Sequence, residues 1–171
     1  MAVRAPKPAV DERRDTKRRA SVRLLVIEAR YYEEIGAALA EGAVMEMTAQ
    51  GVAHDVVRVP GALEIPQVLA LAAREGAIGR AGARYHGAVV LGCVVRGETS
   101  HYDIVCNNAN HWLMEVAVHH AIPLGNAILT VESEAQALAR ARGGRQGKGA
   151  EAVRACLALI DAAELLAGSK A

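Results

Sequence analysis

From Val22 to Ala29 the chain is apolar at nearly every position (VRLLVIEA), without alternation, as a parallel strand buried on both faces requires. From Tyr32 to Gln50 the composition turns to Ala, Leu, Met and Glu, all good helix formers, and Gly51 stands where a C-terminal cap belongs. Ala53 to Val59 reads as a second strand, broken by Pro60-Gly61. Ile65 to Glu75 reads as a helix, with Pro66 admissible only in its first turn. Gly87 to Val95 (GAVVLGCVV) is the clearest buried strand. A long helix follows from Tyr102 to His120, where Val105, Ala109, Trp112, Leu113, Val116 and His120 recur at helical spacing. Trp112, on that stripe, is expected in the core or at a subunit contact. Leu124 to Thr130 is the fourth strand. Ser133-Glu134-Ala135-Gln136 fits a capping box opening a short helix, and a last helix spans Gly149 to Leu166 with Val153, Cys156, Leu157 and Ile160 on one face.

Strands alternating with helices predict an α/β fold of three layers: a four-stranded parallel sheet, helices on both faces and right-handed crossovers. In such sheets ligands bind beyond the carboxyl ends of the strands. Function is therefore expected at Arg30-Tyr31, Pro60 to Glu64, Arg96 to His101, and from Thr130 onward.

Composition narrows the setting. The 171 residues suit one domain, and with 52% apolar residues it can bury a core. There is no Phe, so that core rests on Ala, Val, Leu and Ile. The net charge of +1 makes no whole-chain case for nucleic acid. The charge is uneven, however. Residues 1–20 hold seven of the 20 Lys and Arg but three of the 19 acids, together with Pro6 and Pro8. This segment reads as a disordered basic tail before a single domain over residues 21–171, either a solvated extension or an arm for RNA or another anion. It has no secretory pattern, and no apolar run is long enough to cross a membrane. Three widely spaced cysteines, Cys93, Cys106 and Cys156, argue against a disulfide framework and a structural zinc, and favour a reducing, cytoplasmic compartment.

Three constellations could carry chemistry. In Gly92 to His101 (GCVVRGETSH) a strand ends in a glycine turn before a helix. The N–H groups of Gly97, Glu98 and Thr99 suit an anion there, and His101 stands beside them as a proton carrier near neutral pH. The same residues also read as an ordinary capped helix start. Arg140, Arg142, Arg145 and Lys148 flank a glycine-rich turn and could grip phosphate, or form a solvated basic loop. The turn is no P-loop: Arg142 stands where its first glycine belongs, Gly149 replaces its Ser or Thr, and no strand precedes it. Glu64, a lone acid in VPGALEIP, either accepts substrate hydroxyls or serves its helix N-terminus. Cys93 and His101 as nucleophile and base is a poor fit, because Cys93 lies inside an apolar strand. His111, Glu115, His119 and His120 give no set of three metal ligands.

VPGALEIP, LGCVVRGETSHYDIVCNNA, ILTVESEAQALARA and GKGAEAVRACL resemble, in order and spacing, the 6,7-dimethyl-8-ribityllumazine synthase family, and the likeness covers Val22 to Leu166. The resemblance implies a flavodoxin-like fold. It implies condensation of 5-amino-6-(D-ribitylamino)uracil with 3,4-dihydroxy-2-butanone 4-phosphate, without metal or organic cofactor. It also implies a homopentamer, or a multiple of pentamers, with sites between subunits. By matching position, His101 is similar to the general acid/base. Arg140 resembles a phosphate clamp reaching in from the neighbouring subunit, Glu98 and Thr99 match the turn that holds that phosphate, and Lys148 a lysine near it. Tyr31 matches a ring that stacks on the pyrimidine. Ala62, Leu63 and Glu64 match the ribityl-binding turn, and Cys93, Val94 and Val95 a strand end that reads the uracil edge.

Three positions depart from the commonest pattern of the family: Asn126 for a Phe or Tyr against the uracil, Leu63 for Phe, and Cys93 for Thr. Losing one aromatic contact weakens pyrimidine binding by about 1 kcal/mol. A non-catalytic flavin or lumazine binder is the competing expectation. The presence of His101, Arg140 and Lys148 favours the enzyme over it, because a binder has no need of a phosphate clamp. A shell that packages cargo with its basic tails is a third.

Overall fold

A computed structural model describes residues 19–168, so most of the basic segment (1–18) lies outside the described residues. Four strands, β1 (Arg23–Ala29), β2 (Ala53–Val59), β3 (Gly87–Val95) and β4 (Leu124–Val131), form one sheet in the order β2-β1-β3-β4. Every neighbouring pair is parallel. Five helices cover it: α1 (Glu33–Gln50), α2 (Ile65–Arg74), α3 (His101–His119), α4 (Glu134–Ala141) and α5 (Lys148–Leu166). Short 3-10 turns at Ala62–Glu64 and Gly144–Gln146 precede α2 and α5. This is the flavodoxin-like α/β arrangement.

The core divides at the sheet. On one face Leu24, Val26, Val89 and Leu91 meet Leu39 and Met47 of α1 and Val153, Cys156, Leu157 and Ile160 of α5. On the other, Leu25, Ile27, Val90 and Ile128 meet Ile65 and Leu69 of α2 and Ala109, Leu113 and Ala117 of α3. Small residues allow close layers. A Cβ on Gly125 of β4 would stand 1.9 Å from the carbonyl oxygen of Ala152, so α5 lies against β4 at a distance that only glycine permits.

Local rules act as expected at the helix ends. Gly51 caps α1 in the left-handed region at φ 68°, and Pro66 sits in the first turn of α2. Ser133 Oγ accepts from the Gln136 N–H at 3.3 Å, while Gln136 Oε1 accepts from the N–H of Glu132 at 3.1 Å. The capping box is thus present but reaches back one residue further than its usual partner.

Trp112 is 54% exposed and edge-on to His111, so of its two expected places, core or subunit contact, the core is excluded; Ala109, Leu113 and Ala117 are the buried residues of α3. Arg19, at the end of the basic segment, is not free: it donates to Gln50 at 2.9 Å and Asp161 at 2.8 Å.

Candidate active site

The connection from β1 runs to β2 on one side, and the chain then crosses to β3 and β4 on the other, so β1 and β3 flank the topological switch point. A cavity of about 440 Å³ opens there, at the carboxyl ends of the strands. Its walls are Tyr31 and Tyr32 after β1, residues 60–64 after β2, Cys93 to Val95 closing β3, and Gly97, Thr99, His101, Tyr102 and Val105 at the start of α3.

Each wall has a local cause. Tyr31 stands 75% exposed, its ring edge-on to Tyr32 at 5.1 Å, so one face is available for a planar ligand. Glu64 is the residue that begins α2, yet its side chain makes no capping bond and has no partner among the described residues. Its carboxylate lines the cavity while still standing at the N-terminus of α2, where a negative charge is favoured without a capping bond. In β3 burial is complete through Leu91 and relaxes only at Val94 and Val95, so the strand delivers backbone to the cavity and closes its floor with Cys93. Burial above all, with the nearby Glu134 and Cys106, pushes the Cys93 thiol up to about 11. It stays protonated at neutral pH, so Cys93 is no nucleophile.

At the start of α3 the His101 N–H donates to Thr99 Oγ1 at 3.4 Å, and the imidazole is exposed at the cavity mouth. The backbone N–H groups of Gly97, Glu98 and Thr99 have no protein acceptor among the described residues. These donors and the imidazole lie together, as an anion leaving beside a proton carrier would need. Glu98 itself is solvent-exposed and its side chain does not line the cavity. Arg96 is committed elsewhere, to Glu132 at 3.0 Å, to Asp103 at 3.3 Å and over the Tyr102 ring at 4.1 Å.

The basic cluster separates into different roles. Arg142 is paired with Glu34, Arg145 with Glu46 at 2.9 Å, and Lys148 with Glu151 at 2.7 Å. Arg140 alone in the cluster has no carboxylate among the described residues. Its Nη1 donates to the Gln136 carbonyl at 2.9 Å and the side chain is exposed. Neither Arg140 nor Lys148 lines the cavity of its own chain. Nor does Asn126, which donates to Asn110 Oδ1 at 2.9 Å and accepts from the Ile128 N–H at 2.8 Å on β4.

Sequence reasoning missed Tyr32 and Tyr102 as wall residues, and two buried acids. Glu28, 1% exposed near the end of β1, binds Arg30 and, at 3.2 Å, Arg58 on β2; it ties together the strand ends that carry Tyr31 and the 60–64 turn. Glu46 is fully buried in α1. The only signal for either was a single acid within an apolar run. No group of three or more His, Cys, Asp or Glu among the described residues is arranged to hold a metal, and no described helix is long and apolar enough to cross a membrane.

Comparison with known proteins agrees with this geometry. Residues 21–164 match the family model of 6,7-dimethyl-8-ribityllumazine synthase. A 6,7-dimethyl-8-ribityllumazine synthase of Nitrobacter hamburgensis is 50% identical over 138 residues, covering 81% of this chain and 83% of the relative. A 6,7-dimethyl-8-ribityllumazine synthase 1 of Rhodopseudomonas palustris is 49% identical with the same coverage. One from Agrobacterium fabrum is 47% identical over 145 residues, 85% of this chain and 97% of its own length. A match of this extent, on a sheet whose switch point carries the expected turn, strand end and histidine, means that the chain belongs to the 6,7-dimethyl-8-ribityllumazine synthase family.

Proposed function

We propose that the chain condenses 5-amino-6-(D-ribitylamino)uracil with 3,4-dihydroxy-2-butanone 4-phosphate to give 6,7-dimethyl-8-ribityllumazine, releasing phosphate and water. The observation that carries this is the convergence of four wall segments on one cavity at the switch point, with His101 beside three unclaimed backbone donors. Tyr31 offers a face for the pyrimidine, Ala62, Leu63 and Glu64 offer a carboxylate and backbone for the ribityl hydroxyls, and Val94 and Val95 offer strand-end backbone for the uracil edge. The amine attacks the ketone and water leaves as the imine forms; loss of a proton from the next carbon expels phosphate from the terminal carbon, and the second nitrogen closes the ring on the carbonyl so formed, with loss of a second water. His101 serves as proton carrier in these steps. Thr99 and the N–H groups around Glu98 hold the departing phosphate. Holding the two reactants together supplies much of the rate.

Arg140, Lys148 and Asn126 complete the site from a neighbouring subunit in this reading. Their position outside the cavity of their own chain supports it. So does the outer face of α3, which exposes Ile104, Trp112, Met114 and Val118, the last to 73%, beside a groove of about 670 Å³ bordered by Cys106, Asn110 and Thr130. A homopentamer, or a multiple of one, would cover this face. The three free cysteines fit a cytoplasmic enzyme.

Turnover with both purified substrates tests the function, following lumazine absorbance and released phosphate. One phosphate per lumazine is the expected result. Tight binding of lumazine without turnover would reject the enzyme in favour of a binder. Native mass measurement tests the assembly, and a monomer that turns over at full rate would overturn the shared site.

A further inference from the structure

Between Arg140 at the end of α4 and Lys148 at the start of α5 the chain makes a turn of glycines, Gly143 and Gly144 both at positive φ. Such a turn has little stiffness of its own. It is held from beneath by one acid. Glu46 Oε2 accepts from Arg145 Nε at 2.9 Å and from Arg154 Nη1 at 3.0 Å, and Glu46 Oε1 accepts from Gln50 Nε2 at 3.0 Å. Arg154 Nη1 also donates to the carbonyl oxygen of Arg145 at 3.0 Å, which fixes the turn's backbone as well as its side chain. The turn lies directly on α1, for a Cβ on Gly42 would be 2.7 Å from the carbonyl oxygen of Gly144.

A buried carboxylate with two arginines is a weak device for stability alone, since apolar residues of equal volume often serve as well or better. What it supplies is fixed geometry. We propose that Glu46 is a positioning residue: through Arg145 and Arg154 it locks the 143–147 turn and so sets where Arg140 stands relative to a bound phosphate. This rests on the reading of Arg140 as a phosphate cation.

The test measures KM for each substrate and kcat in the assembled full-length enzyme, for Glu46→Gln, Arg145→Gln, Arg140→Ala and the Glu46→Gln/Arg140→Ala double variant. The glutamine keeps the volume of Glu46 and removes its charge. The expected result is a rise of about fivefold or more in KM for the butanone phosphate, with KM for the uracil within about twofold. In the Arg140→Ala background the same change should add less than about twofold, because the residue being positioned is gone. Arg145→Gln should show the same split, and it decides alone if Glu46→Gln does not fold. Parallel changes in both KM values, no change in either, or a full effect in the Arg140→Ala background would overturn the positioning role. If Arg140→Ala is selective for the phosphate substrate while Glu46→Gln and Arg145→Gln are not, only the positioning role fails. If Arg140→Ala is itself not selective, the phosphate reading fails and takes this inference with it.

Discussion

Replacing Arg140 by Ala removes the one cation of the 140–148 segment that no carboxylate holds among the described residues. Its side chain is exposed, and its bond to the Gln136 carbonyl uses Nη1, leaving Nη2 and Nε for a ligand. Recruiting it to a phosphate therefore breaks no ion pair. A hydrogen bond to a charged group contributes about 1.5–3 kcal/mol, and each 1.4 kcal/mol is tenfold in affinity. KM for the butanone phosphate should rise about 10- to 100-fold, with KM for the uracil within about twofold. The change lies on an exposed last turn and introduces a better helix former, so stability should move by less than about 0.5 kcal/mol. Arg142→Ala is the matched control. That arginine sits two residues away but is pinned to Glu34, and its removal should shift either KM by less than about threefold. Steady-state kinetics with each substrate varied against saturating partner reads both variants. Equal rises in the two KM values for Arg140→Ala would refute the reasoning, and so would an Arg142→Ala effect of the same size.

His101→Ala should lower kcat by about 100-fold with both KM values nearly unchanged, because general acid/base help is lost while reactant placement remains; an unchanged kcat rejects His101 as proton carrier. Burial would raise the Glu46 carboxyl, but bonds from Arg145 and Gln50 and the charges of Arg145 and Arg154 hold it below its ordinary value of 4.5. Its stabilising contribution is therefore complete above pH 4.5 and lost as pH falls through the lowered folded-state value. Thermal melts should show the wild type losing Tm below pH 4.5 more steeply than Glu46→Gln, and parallel curves would dismiss the network as a source of acid sensitivity. Gly125→Ala would force α5 from β4 to relieve the 1.9 Å contact with Ala152, at about 1–3 kcal/mol or more by denaturant unfolding; a stability equal to wild type would show that this close approach is not needed.

The element boundaries were legible to within one residue at most ends, because the signals there are local. Uninterrupted apolar runs mark β1 and β3, Gly51 ends α1, and Pro66 can only begin α2. Trp112 shows where local pattern stops. A stripe at helical spacing records which side of a helix is apolar, not whether the neighbour is the same chain, and here Ala117 takes the inner position while Trp112 faces outward. The cavity could be placed because residues after strands converge in any sheet of this kind. Tyr32 and Tyr102 as wall residues could not, since their side chains reach it only through the turn from β1 to α1 and the first turn of α3.

The basic cluster carries the lesson furthest. In sequence Arg140, Arg142, Arg145 and Lys148 are four equivalent charges around a flexible turn. In the fold Glu34, Glu46 and Glu151 claim three of them, and two of those acids lie about 100 positions away along the chain, beyond any spacing argument. Of the three acids only Glu46 is buried, so Arg145 is part of the scaffold; Arg142 and Lys148 pair with exposed acids, and Arg140, bound only to a carbonyl of its own helix, is the most available to a ligand. That difference singles out Arg140, which the family resemblance also pointed to. The fold then poses a demand that one chain does not meet. The cavity at the switch point brings together His101, Tyr31 and backbone N–H groups, but no Lys or Arg among the described residues lines it, and the nearby Arg96 is bound to Glu132 and Asp103. A phosphate dianion leaving that cavity needs a positive partner, and the available one is carried on a different edge of the same molecule. The two would be reconciled if the edge of one copy met the cavity of the next, the shared site proposed above, and association would then belong to the chemistry as well as to the covering of the exposed α3 face.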